Sequence, residues 1–261
     1  MTEATAASSE FIQASRDGAV AVLRIARPDK KNALTTAMYA ALTSELTRAE
    51  ADPAVAVHCL LGVPGAFSAG NDLEDFLAFS AQGKLGTEVL DFLNRAATLD
   101  KPLVIGVDGL AIGIGTTLLL HADLALASDR SLFRTPFTDL GLVPEAASSL
   151  LGPRLMGHVK AFELLVLGAP FDAGAAEKVG LVNKVVAADA LEPATLDLAR
   201  ALAAKPREAV AIGRALLRRS QPFGRAEVQA RIALEGEKFK ERLTSAEAQA
   251  AFRAFLTKKK S

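Results

Sequence analysis

The sequence predicts an α/β protein with a helical C-terminal extension, and three observations carry that expectation. Up to Gly152, short and continuously apolar runs alternate with segments of helical spacing, and Gly-containing turns follow two of those runs. Beyond Gly152 nearly every segment has helical spacing. With 261 residues, half of them hydrophobic, the chain is long enough to bury a large core.

Phe11–Arg16 and Ala19–Ala26 read as the strands of a hairpin, because Asp17-Gly18 between them supplies residues that tolerate positive φ. Thr35–Ala51 reads as a helix from the spacing of Met38, Ala41, Leu42, Leu46 and Ala49. Ala56–Leu61 and Leu103–Val107 read as buried strands, each leading through a Gly-containing turn into a helix, which implies parallel pairing and right-handed crossovers. Within 74–98, Phe76, Leu77, Phe79, Leu90 and Phe92 fit a ligand pocket or core packing equally well. Leu124–Ala127 and Leu132–Arg134 read as two further short strands. Helices are expected over 158–167, 172–179, 191–204, 206–219, 225–243 and 245–259, with Leu181–Val186 strand-like between them. This extension packs either on the core or on another subunit.

Composition excludes several classes. Mean hydropathy is +0.24, and no run approaches the roughly 18 apolar residues of a membrane span, so a soluble protein without a membrane partner is expected. The single cysteine, Cys59, rules out an internal disulfide and a multi-cysteine zinc site, and its apolar neighbours mark it as a core residue. The first ten residues lack a secretory pattern, and Lys258-Lys259-Lys260-Ser261 differs from the Ser-Lys-Leu peroxisomal address, which makes cytoplasm the expected compartment. Net charge is zero, yet residues 205–261 hold 14 basic against 6 acidic side chains, an excess that fits either a functional basic surface or a solvated helical face. With one Tyr and no Trp to stack on bases, nucleic acid is a poor partner. The three histidines are isolated in the sequence, so no metal site is expected.

The two Gly turns are Gly65-Ala66-Phe67-Ser68-Ala69-Gly70-Asn71-Asp72-Leu73 and Asp108-Gly109-Leu110-Ala111-Ile112-Gly113-Ile114-Gly115-Thr116-Thr117. Each follows a strand, where α/β folds bind ligands, and small residues there let backbone N–H groups approach an anion. Tight packing explains such turns as well. Neither turn fits the signatures for nucleoside triphosphates or dinucleotides. Ser68 comes within one residue of the serine-hydrolase elbow, but the histidines that follow it, His121 and His158, sit in stretches that predict structural roles. Glu145 is flanked by apolar or small residues from Leu140 to Leu150. Such a setting raises a carboxyl pKa and suits a general base, while Pro144 before it equally fits a helix start.

Together with Arg27-Pro28-Asp29-Lys30-Lys31-Asn32-Ala33-Leu34, these turns resemble the crotonase, or enoyl-CoA hydratase/isomerase, family over roughly residues 10 to 258. The parts come in the family's order: Arg-Pro-x-x-x-Asn-Ala-Leu, Phe-Ser-Ala-Gly-x-Asp-Leu, the second Gly turn before a helix, and a late helix with a basic tail. The resemblance implies a crotonase-like superhelical core of repeated ββα units over 10–204, a C-terminal helical oligomerisation region over 205–261, and a disordered tail over 1–9. It further implies assembly as homotrimers or hexamers and acyl-coenzyme A thioesters as substrates, with no separate cofactor. The amides of Asn71 and Ile114 are implied as an oxyanion hole for a thioester enolate. Lys30, Asn32, Ala33, Leu34, Ser68, Ala69 and Gly70 match coenzyme A contacts, with Asp72, Leu73 and Gly113 beside them.

Hydratases of this family resemble one another in using two glutamates, and at the matching positions this chain has Thr117 and Phe137. The stretch Phe133–Gly141 leading to Glu145 is instead similar to monofunctional 3-enoyl to 2-enoyl-CoA isomerases, in which one glutamate moves the proton. The resemblance thus implies isomerisation of 3-enoyl thioesters in fatty-acid β-oxidation, with Glu145 as base. Hydration, thioester hydrolysis and non-catalytic acyl-CoA binding are the alternatives.

Overall fold

The computed structural model describes residues 9–72, 74–75, 87–219 and 224–258. Strands β1 (Ile12–Asp17) and β2 (Val20–Ile25) form the expected hairpin, and α1 (Thr36–Ala51) follows with the Thr35 side chain capping its N-terminus. From there the chain repeats one unit. A first strand enters a large sheet, a second and shorter strand enters a small sheet, and a helix follows. The three repeats are β3 (Val57–Leu61), β4 (Ala66–Ser68) and α2 (Glu88–Thr98); β5 (Leu103–Val107), β6 (Leu110–Ile112) and α3 (Ile114–Thr117); and β7 (Leu124–Ser128), β8 (Leu132–Arg134) and α4 (Ser148–Leu165). After them come β9 (Phe171–Asp172), α5 (Ala173–Lys178), β10 (Lys184–Val186), α6 (Leu191–Ala203), α7 (Arg207–Arg219), α8 (Arg225–Leu243) and α9 (Ala246–Lys258).

The large sheet has the order β1-β2-β3-β5-β7-β10 and is parallel apart from the β1/β2 hairpin. The small sheet has the order β4-β6-β8-β9, with β9 antiparallel. The central strands β3 and β5 are buried along their whole length because both faces of the large sheet are covered. Val57, Cys59, Leu61 and Val104 face α6 through Ala199, while Leu60, Leu103, Ile105 and Val107 join the main core with Met38, Leu42, Phe92 and Leu93. Cys59 is buried, as its neighbours predict.

The differences from expectation are local. Helix α4 begins at Ser148, ten residues before the expected 158, and carries Pro153 and a non-helical Gly157 (φ 78°, ψ 159°) that interrupt its periodicity. The strand expected over Leu181–Val186 is confined to Lys184–Val186. Glu145 stands in a turn before α4, so the helix-start reading of that residue does not hold. The tail residues 1–8 and the terminal 259–261 lie outside the described residues, as do Phe76, Leu77 and Phe79.

Candidate active site

The two Gly turns end side by side, and each leaves one backbone amide unused. After β4, Gly70 O accepts from Leu34 N (2.8 Å) and Asp72 N donates to Leu34 O (2.8 Å). In such a parallel bridge the intervening residue, Asn71, points its own N–H away from Leu34. Gly113 N donates to Arg134 O (2.8 Å), and the next residue, Ile114, opens α3, where a first-turn N–H has no intrahelical acceptor. Among the described residues neither the Asn71 nor the Ile114 amide has a hydrogen-bond partner. The turns are in contact, since a Cβ at Gly70 would lie 3.1 Å from Ile112 O.

Asp108 staples the starts of the same two turns. Its carboxylate accepts from Gly65 N (2.8 Å), Ser128 Oγ (2.7 Å) and Arg130 Nε (2.8 Å). Burial alone raises this carboxyl, but the hydrogen bonds from Arg130, Ser128 and Gly65 outweigh it and hold the group at about 2. Gly109 beside it has φ +70°, and a Cβ there would fall 2.0 Å from Gly65 O, so only glycine fits.

Glu145 is 6% exposed and lines a narrow interior cavity of about 50 Å³. Leu34, Tyr39, Asn71, Leu93, Ile232 and Phe239 are among its other walls, which are mostly apolar. Burial pushes the Glu145 carboxyl up to about 7, a bond from Thr117 Oγ1 to Oε1 (3.0 Å) pulls it down, and the charge of Glu235 raises it further. Asp72 and Asp75 also line the cavity but are engaged elsewhere. Asp72 pairs with Arg27 (2.6 Å), and Asp75 accepts from Thr36 N (2.8 Å). Tyr39 donates its hydroxyl proton to Asn71 Oδ1.

The turn that presents Glu145 is unusual, because Ala146 (φ 61°) and Ala147 (φ 56°) are both left-handed without being glycine. Its neighbour His121 is fully buried, and burial lowers its imidazole to about 4. The ring is therefore neutral near pH 7, and Nε2–H donates to Ala146 O (2.8 Å).

A wider cleft of about 720 Å³ lies outside this cavity and includes Ala69, Gly70, Gly113, Arg134 and Phe137. Asn71 and Phe239 belong to both spaces, so the cleft and the cavity meet at these two residues. A small cavity holding the reactive group and a roomy cleft for a polar carrier suit an extended ligand with one apolar end.

The expected site residues separate into two groups. Glu145, Leu34, Asn71 and Asp72 face the cavity, Ala69, Gly70 and Gly113 face the cleft, and Ile114 stands at the start of α3. Lys30, Asn32, Ala33 and Ser68 line neither space. Lys30 pairs with Glu74 at the surface (3.3 Å). The Asn32 side chain is fully buried and donates to Ile25 O (2.9 Å) and Ala66 O (2.8 Å), tying β2 to β4. Ser68 Oγ donates to Asn32 O (3.0 Å) and accepts from Gly70 N (3.1 Å), which leaves it no role as a nucleophile paired with histidine. Leu73 lies outside the described residues. Leu90 lines the cavity, whereas Phe92 packs on Tyr39 in the core. Among the described residues no group of three His, Cys, Asp or Glu gathers as a metal site, and no helix is long and apolar enough to cross a membrane. The sequence reading missed Tyr39, Glu235 and His121 as neighbours of Glu145. Glu235 had left a signal, an acid on the helix face that carries Ile232, Phe239 and Leu243.

Residues 15–261 match the family model described as enoyl-CoA hydratase/isomerase, and the chain belongs to that family. It is 35% identical over 221 residues to enoyl-CoA delta isomerase 2 of Rattus norvegicus, covering 83% of this chain and 56% of that protein. The chain thus spans about half the length of the curated relatives it matches first. It is also 29% identical to a probable enoyl-CoA hydratase of Rhizobium meliloti, over 97% of this chain and 98% of that one. The crystal structure of an enoyl-CoA hydratase/isomerase from Pseudoalteromonas atlantica T6c superposes with a TM-score of 0.89 at 39% identity, covering 95% of this chain and 98% of that chain.

Proposed function

We propose that this protein is an isomerase that moves the double bond of a 3-enoyl-CoA thioester to the 2-position, a reaction that lets unsaturated acyl chains enter β-oxidation. The observation that carries this reading is that, of the carboxyls lining the cavity, Glu145 is the one raised. Glu145 is raised to about 7, while Asp72 is held low by hydrogen bonds from Arg27 and the backbone that outweigh its burial. Positions 117 and 137, where a hydratase would place its two glutamates, hold a threonine that donates to Glu145 and a phenylalanine.

In this reading the acyl end occupies the cavity and coenzyme A lies in the outer cleft. Glu145 removes a proton from C2 of the 3-enoyl thioester, and the electron pair of that C–H bond delocalises onto the thioester oxygen as a dienolate. The Asn71 and Ile114 amides stabilise that oxygen, and such preorganised donors contribute roughly 3 kcal/mol each. The charge then returns along the chain as C4 takes the proton back from Glu145, which leaves the double bond between C2 and C3. Thr117 Oγ1 fixes one carboxylate oxygen throughout. The protein assembles, on this reading, as a homotrimer or hexamer.

The test is turnover of a 3-enoyl-CoA series by wild type and Glu145→Gln. The variant is expected to bind acyl-CoA and to lose conversion by at least about a thousandfold, since proton transfer is its whole chemistry. Retained turnover removes Glu145 as the base. Hydration is the second reading, favoured by the Rhizobium meliloti relative's name. Water addition to crotonyl-CoA outpacing double-bond migration would establish it instead.

A further inference from the structure

We infer that Glu235 is a positioning residue for Glu145, fastening from α8 the strained turn on which that carboxylate stands. The inference rests on the reading of Glu145 as the base and adds to it a residue from the C-terminal helices.

The geometry is specific. Glu235 Oε2 accepts from Ala147 N (2.6 Å), and Oε1 accepts from Ser149 N (3.0 Å) and from the Ser149 hydroxyl. Two backbone amides and a hydroxyl on either side of Ser148 thus converge on one carboxylate that is itself 6% exposed. The segment between Glu145 and the first turn of α4 holds the two left-handed alanines, a conformation that costs energy for a residue with a Cβ and persists only where its surroundings enforce it. The Glu235 contacts enforce it from one side, and His121 Nε2 on Ala146 O enforces it from the other. Reversal of the chain through Ala146 and Ala147 aims the Glu145 side chain at the cavity. A buried acid that forms no ion pair among the described residues, with only the more distant charge of Arg231 acting on it, is an expensive way to cap a helix, whereas three hydrogen bonds directed at one turn have a use if the base beside it must not drift.

The charge of Glu235 also acts on the base, since a neighbouring carboxylate favours the protonated form of Glu145. The other groups facing this pair are Thr117 and Tyr39 on the cavity side, Asp72 and Asp75 across it, His121 beneath the turn, and Arg231 one turn earlier on α8. Arg231 reaches the Ser149 hydroxyl (3.1 Å). His121 is neutral near pH 7 and Asp72 is ionised there, so neither titrates in the range where Glu145 does.

The experiment compares 3-enoyl-CoA turnover against pH for wild type, Glu145→Gln, Glu235→Gln, and Glu235→Gln combined with Ala147→Gly. Glu235→Gln is expected to lower kcat by on the order of tenfold to a hundredfold with KM nearly unchanged, the cost of a misplaced base. It is also expected to move the acid limb of the profile to lower pH. Glycine at 147 adopts the left-handed conformation freely, so the double variant should recover part of the kcat while the limb stays displaced. A Glu235→Gln enzyme that loses thermal stability but keeps the wild-type kcat and limb overturns the inference, as does a double variant with no recovery. If Glu145→Gln itself turns over, the assignment of the base has failed, which is a separate result. Should Glu235→Gln not fold, Ser149→Ala removes one donor to the same carboxylate and leaves both backbone bonds. Because that variant keeps the Glu235 charge, a smaller fall in kcat with the acid limb close to its wild-type position supports the inference there, and an unchanged kcat overturns it.

Discussion

Glu145 combines burial in an apolar cavity with the proposed role of a base, which requires charge, and the two oppose each other. As base it must be ionised, so kcat/KM is expected to rise with pH and to level off above about 7, the value to which burial pushes the group. A profile flat from pH 5 to 9 contradicts this. Stability runs in the opposite sense. A carboxyl raised in the folded state contributes stability that is present below its ordinary value of 4.5 and lost as pH rises through about 7. Glu145→Gln is therefore expected to be more stable than wild type above pH 7, by up to about 3 kcal/mol, with the gain vanishing below about pH 4.5. Urea denaturation at pH 4.5 and pH 8 reads this directly. The sequence already displayed this acid, because its flanks from Leu140 to Leu150 are apolar or small. Its neighbours were hidden for a physical reason: Glu235 reaches residues 86 and 88 positions away, and no local pattern encodes that distance.

At the level of elements, the strands and helices with clear period were legible to within a residue or two, as with β2, β5 and α8. What escaped was short or interrupted. Strands β4, β6 and β9 have three residues or fewer, too few to show alternation, and they lie inside or beside segments read as turns or helix. Helix α4 lost its first half to Pro153 and Gly157. The Gly turns were legible as ligand-side features, yet their mutual contact emerges only in three dimensions. Gly109→Ala tests that contact. Its Cβ would collide with the Gly65 backbone at 2.0 Å and its φ of +70° disfavours alanine, so a loss of at least about 2 kcal/mol is expected on denaturant unfolding. The proposed isomerase turnover should fall with it, since both amide-bearing turns would move. Unchanged stability would mean that the turns are not interlocked.

Across the whole molecule, the C-terminal helices do more than extend the core. Ile232, Gly236 and Phe239 of α8 wall the cavity, and a Cβ at Gly236 would come within 3.0 Å of Leu90 on α2, so this region belongs to the active cavity of its own chain. Other apolar side chains remain outside: Val159 (76% exposed), Leu167 (66%) and Phe162 (52%) on or just beyond α4. The proposed trimer or hexamer would cover such a face. Sedimentation is expected to show a trimer or hexamer, and Val159→Glu is expected to shift the protein toward smaller species. A monomeric wild type at micromolar concentration contradicts the proposed assembly. One consequence of the cavity's construction is practical. Tyr39, its hydroxyl bonded to Asn71, is the sole tyrosine of a tryptophan-free chain, so ultraviolet emission at tyrosine wavelengths originates from a single ring on the wall where acyl groups are proposed to dock. Occupancy of that wall can be followed by intrinsic light, with no dye attached.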